Sequence, residues 1–250
     1  MSAPAAGHTP DATPEEDWAG WLPGQDWPAW VPDPTWRRVA VCAAHPDDEV
    51  LGVGGTLALL SGAGVEVELV AVTDGDASHP GSTVLSPAQL AVARVAESGH
   101  ALRALCAGST RTTRLGLPDG RVAEHEAGLG VALAAAFAGV DAVLTTWSGD
   151  GHPDHEAVGR AAVAAGARAG VPVWQYPVWT WHWAVPGDPR VPWERAHRVD
   201  LPPSVQDAKA AAIACFRTQV APLGPDPADA VVLPPEFLAH SARPTEVLWT

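Results

Sequence analysis

From residue 37 onward the chain alternates between two hydrophobic periods. Residues 39–44 form a short apolar run of strand length. Residues 50–60 read as a helix, with Gly62 and Gly64 as its stop. Residues 65–73 are alternating and β-rich, and break at Asp74-Gly75-Asp76. Ser86-Pro87 reads as an N-cap and a first-turn proline, opening a helix that runs to about residue 107. A strand is predicted over 110–117, closed by Pro118-Asp119-Gly120, then a helix over 124–138. A strand over 142–147, a helix over 155–169 ended by Gly170, and a strand over 171–178 follow. One more helix is predicted over 207–220; beyond it the prolines are too dense for an assignment. Such alternation predicts the α/β class, a parallel sheet with helices on both faces. Ligands of these sheets bind at the carboxyl ends of strands, beside a topological switch point.

Two segments depart from the alternation. Residues 1–36 hold seven prolines, six acids, five tryptophans and no Lys or Arg. The first fifteen or so read as disordered. The part bearing Trp18, Trp21, Trp27, Trp30 and Trp36 reads as an irregular arm, because indoles are costly to leave in water. It is expected to pack on the domain surface, or on a neighbouring subunit of a homo-oligomer; a lid over the active site is the lesser alternative. The second segment is a Trp- and Pro-rich excursion at 179–203. Its alternating Trp179, Trp181 and Trp183 fit one buried strand face or a subunit interface, with one or two indoles lining a pocket. The organisation expected is an arm at 1–36 and a single domain at 37–250.

Composition narrows the classes. The chain has 250 residues, 47% of them hydrophobic, which is ample for a sizeable core. It has no uncharged apolar run of spanning length, and residues 1–17 lack the basic and apolar regions of a secretory signal. A net charge of −14 argues against nucleic acid and anionic membrane as partners, since both demand Lys and Arg. Cys42, Cys106 and Cys215 are odd in number and lie in apolar contexts. They read as reduced core residues of a cytoplasmic protein.

The chemistry sits in two polar strings, His45-Pro46-Asp47-Asp48-Glu49 and His152-Pro153-Asp154-His155-Glu156. Each follows a predicted strand and opens a predicted helix. Held across a strand-to-helix turn, His45 and Asp48 can chelate one divalent ion, and Asp47 between them must point elsewhere. Helix capping would explain one of these aspartates, but not His45, Pro46 and two adjacent acids together. The second string adds two histidines bracketing Pro-Asp. Two histidines and a carboxylate leave coordination positions open, the pattern of a catalytic zinc site.

These strings resemble the zinc-dependent N-deacetylases related to GlcNAc-phosphatidylinositol deacetylase, the PIG-L or LmbE-like family. The resemblance runs from about residue 38 to 220 and takes in Thr73-Asp74-Gly75-Asp76, Arg94 with Glu97, residues 115–120, and residues 209–219. It implies a Rossmann-like three-layer sandwich with a mostly parallel sheet. It also implies His45, Asp48 and His155 as metal ligands, Asp47 as general base, His152 as oxyanion donor, and Asp154 orienting His152. In that reading His152 is protonated and paired with Asp154. Arg94 and Asp119 are expected substrate contacts, each with a structural alternative: an ion pair of Arg94 with Glu97, and a turn aspartate before Gly120. Glu49 is read as an acceptor behind a ligand histidine or as a first-turn charge.

The function expected is removal of an acyl group, acetyl foremost, from an N-acylated amino sugar or related small molecule, with Zn²⁺ as cofactor and Fe²⁺ or Co²⁺ as substitutes. The alternatives are an amidase acting on a non-sugar amide or thiol conjugate, a facial-triad Fe(II) oxygenase, and a non-catalytic metal-stabilised binding module. A purely structural metal site has no use for a base or an oxyanion donor, which weighs against the last.

Overall fold

The computed structural model describes residues 12–106 and 110–250. The strands are β1 (Arg38–Ala43), β2 (Glu66–Thr73), β3 (Arg111–Leu117), β4 (Ala142–Thr146), β5 (Val173–Tyr176), β6 (Ala196–Asp200) and β7 (Thr245–Trp249). The helices are α1 (Glu15–Trp21), α2 (Asp48–Gly62), α3 (Pro87–Leu105), α4 (Glu126–Ala136), α5 (Pro153–Ala169), α6 (Thr180–Trp183), α7 (Pro203–Ile213), α8 (Arg217–Val220) and α9 (Pro235–Ser241). One sheet of seven strands runs in the order β3-β2-β1-β4-β5-β7-β6. β1 to β5 are parallel; β7 lies antiparallel between β5 and β6.

The strand pleat divides the core. In β1, Val39, Val41 and Ala43 face one apolar cluster, while Ala40 and Cys42 face another. The first cluster takes Val50, Leu57 and Leu60 of α2, Leu102 of α3 and Ile213 of α7. The second takes Leu129 and Leu133 of α4 and Ala161 and Ala165 of α5. Alternate side chains of a central strand therefore feed two helical layers, which is the expected α/β sandwich. Chain order reverses between β1 and β4, which pair from Val39↔Ala142 to Cys42↔Thr145. The two polar strings leave the carboxyl ends of these neighbours, at the switch point.

Several expectations need correction. Five strands are expected and seven are found. β5 is confined to four residues because Pro172 and Pro177 bracket it and lack the N–H a central ladder needs. The helix expected over 207–220 is broken around Phe216, whose ψ of 60° leaves the helical region. Trp179, Trp181 and Trp183 are not a strand face: 180–183 is a helical turn. Ser86 does cap α3, in a capping box with Gln89.

The expected disorder falls partly on residues 1–11, which lie outside the described residues; Thr13 and Glu15 are held firmly. The Thr13 hydroxyl donates to the carbonyl of Ala184 (2.7 Å), and Trp18 Nε1 to that of Trp181 (2.9 Å). Trp18 is fully buried in a third cluster with Trp147, Trp181 and Trp249. Burying an indole removes about 150–250 Å² from water, roughly 4–6 kcal/mol of gross transfer energy. Farther on, the arm pairs with the sheet edge, Ala29 bridging to Arg198.

Glu15 fastens the arm to the C-terminal segment. It accepts from Arg243 Nε (2.7 Å) and contacts His240 Nδ1 (2.6 Å). Burial raises its pKa, but the hydrogen bonds from His240 and Arg243 outweigh this and hold it below the usual value. A carboxylate with a depressed folded pKa adds stability above its unfolded pKa and loses it as pH falls through the folded one. Acidification below about pH 4 is therefore expected to release the arm, seen as a tryptophan-emission change preceding loss of far-ultraviolet dichroism. In Glu15→Gln the early step should already be displaced at neutral pH; identical acid profiles for both proteins would refute the tie.

Candidate active site

Between β1 and α2 the chain makes a strained turn. Asp47 has φ 141° and ψ −27°, the one positive φ of any non-glycine residue described. Such a backbone persists when its surroundings over-determine it, and they do. Arg94 of α3 donates through Nη2 to the Pro46 carbonyl (2.8 Å) and to Asp47 Oδ2 (3.0 Å). Its Nη1 donates to the Gly75 carbonyl (3.0 Å). Glu49 Oε2 accepts from the Asp47 amide (3.3 Å), and Glu49 Oε1 from Ser98 (3.1 Å). Gly75 is required beside this clamp: its φ is +70°, and a Cβ there would stand 2.2 Å from Arg94 Nη1.

The turn aims three electron-pair donors at one point. His45 Nδ1 lies 3.2 Å from His155 Nε2 and 3.5 Å from Asp48 Oδ2; His155 Nε2 lies 3.2 Å from Asp48 Oδ1. The far nitrogen of each ring is committed to carboxylates. His45 Nε2 contacts Asp119 Oδ1 and Asp154 Oδ2, both at 3.2 Å, and His155 Nδ1 contacts Asp150 Oδ2 at 2.7 Å. These contacts place the proton of each neutral ring on the far nitrogen. Once both rings are neutral, as cation binding requires, two imidazole lone pairs and a carboxylate converge with no proton between them. Ligands about 2.0–2.1 Å from a tetrahedral ion stand roughly 3.3 Å apart, so the donor set fits a divalent cation. His152 comes close to the same group, one of its nitrogens lying within 4.8 Å of a nitrogen of His45 and of His155.

The electrostatics agree. Burial favours neutral histidine, but Asp48 and Asp150 outweigh it and hold His155 up at about 9. His45 is likewise raised against burial by Asp119, Asp154 and Asp48. A site that attracts protons this way is built for positive charge. Asp47 is pushed by burial to about 7, with Arg94 pulling it down and Asp48 up. Glu49 is raised by burial to about 8, so it enters as a neutral prop for the turn.

Several residues lie elsewhere than expected. Asp154 does not pair its carboxylate with His152. It points to His45 Nε2 and accepts from the amides of Gly120 (2.7 Å) and Val122 (3.0 Å). What meets His152 is the Asp154 amide, donating to Nδ1 (3.2 Å). His152 is not held protonated either: burial, then the charges of His45 and His155, lowers it to about 3. Arg94 is neither a substrate contact nor the partner of Glu97. It is 3% exposed and spent on the Asp47 turn, while Glu97 accepts from the amide and hydroxyl of Thr218 (2.8 and 2.7 Å). Asp119 is occupied by His45 and the Ala77 amide (2.9 Å). Glu49 props Asp47 rather than a histidine.

The residue that the sequence reading missed is Asp150. It is fully buried and holds His155 Nδ1 while accepting from the amides of Val178, Trp179 and Thr180, each at 3.0 Å. A signal was present, since Asp150 stands two residues before His152, but an acid in a Gly-rich loop reads equally as a turn residue.

A sheet with crossing order at β1 and β4, and at that crossing a His/Asp cluster that could hold a metal ion, mark a protein of the α/β class. The family model for GlcNAc-PI de-N-acetylase, PIG-L, matches residues 40–166, and the chain belongs to that family. It is 32% identical over 187 residues to 1D-myo-inositol 2-acetamido-2-deoxy-alpha-D-glucopyranoside deacetylase of Tsukamurella paurometabola. That match takes in 60% of this chain and 63% of the relative. Among solved structures, N,N'-diacetylchitobiose deacetylase from Pyrococcus horikoshii matches with TM-score 0.57 and 24% identity, over 73% of this chain and 70% of its own. The 4-carboxy-2-hydroxymuconate hydratase of Pseudomonas putida matches with TM-score 0.60 and 21% identity, over 82% of each chain. A hydratase on the same fold means that chemistry must be argued from the site. No described helix is long and apolar enough to cross a membrane.

Asp150→Asn is expected to weaken metal binding about 10- to 100-fold, as loss of the carboxylate behind a ligand histidine does. Competition against a chromophoric chelator measures it. An unchanged affinity in a folded variant would remove Asp150 from the metal site.

Proposed function

We propose that this protein is a zinc-dependent deacetylase that hydrolyses the acetamide of an N-acetylated amino sugar or a related small molecule. The observation that carries the reading is the convergence of His45 Nδ1, Asp48 and His155 Nε2 within 3.2–3.5 Å, flanked by Asp47 and His152. Family membership and the similarity to the Tsukamurella deacetylase support the reaction class. The N/O donor set also accepts Fe²⁺ or Co²⁺. A cation held by His45, Asp48 and His155 supplies positive charge that acidifies water and polarises a carbonyl.

The remaining steps belong to the chain. Asp47, not spent on the ligand set and held by Arg94, takes a proton from the attacking water as its oxygen adds to the amide carbon. It returns that proton to the nitrogen as the C–N bond breaks, releasing acetate and a free amine. A carboxylate near neutrality suits both transfers, and burial moves Asp47 there. His152 supplies the oxyanion contact as a neutral ring. Its Nδ1 accepts the Asp154 amide, so the proton sits on Nε2, free to donate to the carbonyl oxygen as charge gathers on it. Asp154 thus orients His152 through its backbone and His45 through its carboxylate.

The three cysteines are free, with Cys42 and Cys106 buried, which supports a cytoplasmic setting. The charge of −14 supports a small-molecule substrate rather than nucleic acid or membrane.

Free-amine release from a panel of N-acetylated amino sugars and their conjugates, alongside non-sugar amides, tests the reading. Asp47→Asn should keep one metal per chain and lose about 10²- to 10⁴-fold in kcat, and chelation should abolish turnover in the wild type. Turnover that survives in metal-loaded Asp47→Asn would eliminate Asp47 as the base. Turnover confined to the non-sugar members would transfer the substrate assignment to an amidase.

His152→Gln separates the neutral-donor role from a charge role. A neutral amide donor should retain part of the rate, with the loss held near 10²- to 10³-fold, the cost of one oxyanion donor. A loss no smaller than that of His152→Ala would mean that the imidazole acts by more than donation.

A further inference from the structure

The polar groups expected to bind substrate are consumed inside the protein. Arg94 spends both Nη atoms on Asp47, Pro46 and Gly75, its buried Nε alone lacking a partner, and Asp119 is engaged by His45 and Ala77. Two further arginines at this end of the sheet are paired: Arg114 with Asp74, and Arg121 with Glu124. What remains unspent beside the catalytic histidine is an indole. Trp179 follows β5, and its ring lies 6.0 Å from that of His152, tilted by 33°. It is partly exposed, whereas Phe237 and His240 behind it are buried.

That backing is built in layers. Trp179 packs edge-on against Phe237 at 5.3 Å and beside His182 at 5.6 Å. His182 stacks on Phe237 at 4.0 Å and meets His240 at 4.9 Å; His240 is held by Glu15 of the arm. The Trp179 amide donates to Asp150 Oδ2, the oxygen that also holds His155 Nδ1. One carboxylate therefore fixes the indole relative to a metal ligand. Trp179 packs partly on the main core cluster and keeps part of its indole exposed beside His152.

We propose that Trp179 is the substrate-binding wall of the site, and that it selects an uncharged sugar ring by stacking against its C–H face. The proposal rests on the deacetylase reading and deepens it. With Arg94, Arg114 and Arg121 engaged among the described residues, affinity comes from apolar contact beside His152 rather than from ion pairing. The acetamide of a stacked ring is then presented along the wall to Asp47 and His152.

Saturation-transfer NMR on zinc-loaded Asp47→Asn protein tests the wall without turnover. Irradiation of aromatic protons should saturate the ring C–H protons of methyl N-acetylglucosaminide, and added Trp179→Ala should abolish the effect while Trp179→Phe retains it. In the otherwise native enzyme, Trp179→Ala should raise KM for the ring substrate roughly five- to tenfold, with a smaller effect on kcat. The ratio of kcat/KM between the ring and acyclic N-acetylethanolamine should collapse accordingly. A merely structural tryptophan would lower both substrates alike. Ring saturation that persists in Trp179→Ala, absence of any ring saturation in the parent, or an equal loss on both substrates overturns the wall. The two ideas fail separately. Ring saturation through Trp179 without amine release by wild type would end the deacetylase reading and leave the wall standing. Amine release unaffected by Trp179→Ala would do the reverse.

Discussion

The buried carboxylate of Asp150 is the contact on which both halves of the site depend. It is fully enclosed and surrounded by donors: His155 Nδ1, the amides of residues 178–180 and the Thr180 hydroxyl. An unpaired carboxylate in such a place would cost several kcal/mol, so each donor is kept in position by the penalty for leaving. On one side this orients His155. On the other it starts α6 and sets Trp179. The switch point at β1 and β4 brings the two polar strings together, but Asp150 sets the angle at which the second string meets Trp179.

Much of this was legible in the sequence, for physical reasons that differ between regions. The central strands are buried on both faces and read as apolar runs, and the helices between them carry caps and glycine stops. Their order, and the placement of the two strings at strand ends, could therefore be read directly. The edge could not. β6 lies within a Trp- and Pro-rich stretch and β7 is five residues long, so neither has enough period to count. The period-two pattern of Trp179, Trp181 and Trp183 was misleading because Asp150, thirty residues away, holds that segment helical. Residues 12–15 read as a polar tail, but Thr13 and Glu15 find partners in distant segments that composition does not reveal.

The site shows the same division. His45 and Asp48 were legible from residue type and spacing, and His155 from the family resemblance; the structure brings their donor atoms together. Roles that depend on side-chain direction were not legible. Asp154 was expected on His152 and lies on His45; Arg94 and Asp119 were expected at the substrate and lie on Asp47 and His45. In each case a charged side chain had one buried partner available and took it. Charges are not left free in a site this enclosed, so a polar residue near a metal cluster is more often part of its frame than of its substrate pocket.

The frame also explains how a strained turn can carry Asp47, the proposed base. Asp47 occupies a backbone conformation that costs of order 1–3 kcal/mol for a residue with a side chain. Arg94 meets that cost by gripping the turn at two points and the neighbouring loop at a third, and Gly75 leaves room for it to do so. The same guanidinium opposes the rise in the Asp47 pKa that burial produces. Removing Arg94 would thus act twice, relaxing the turn away from the ligand cluster and freeing the carboxyl to hold its proton. A residue that never reaches the substrate can in this way set both the geometry and the proton affinity of the group that does.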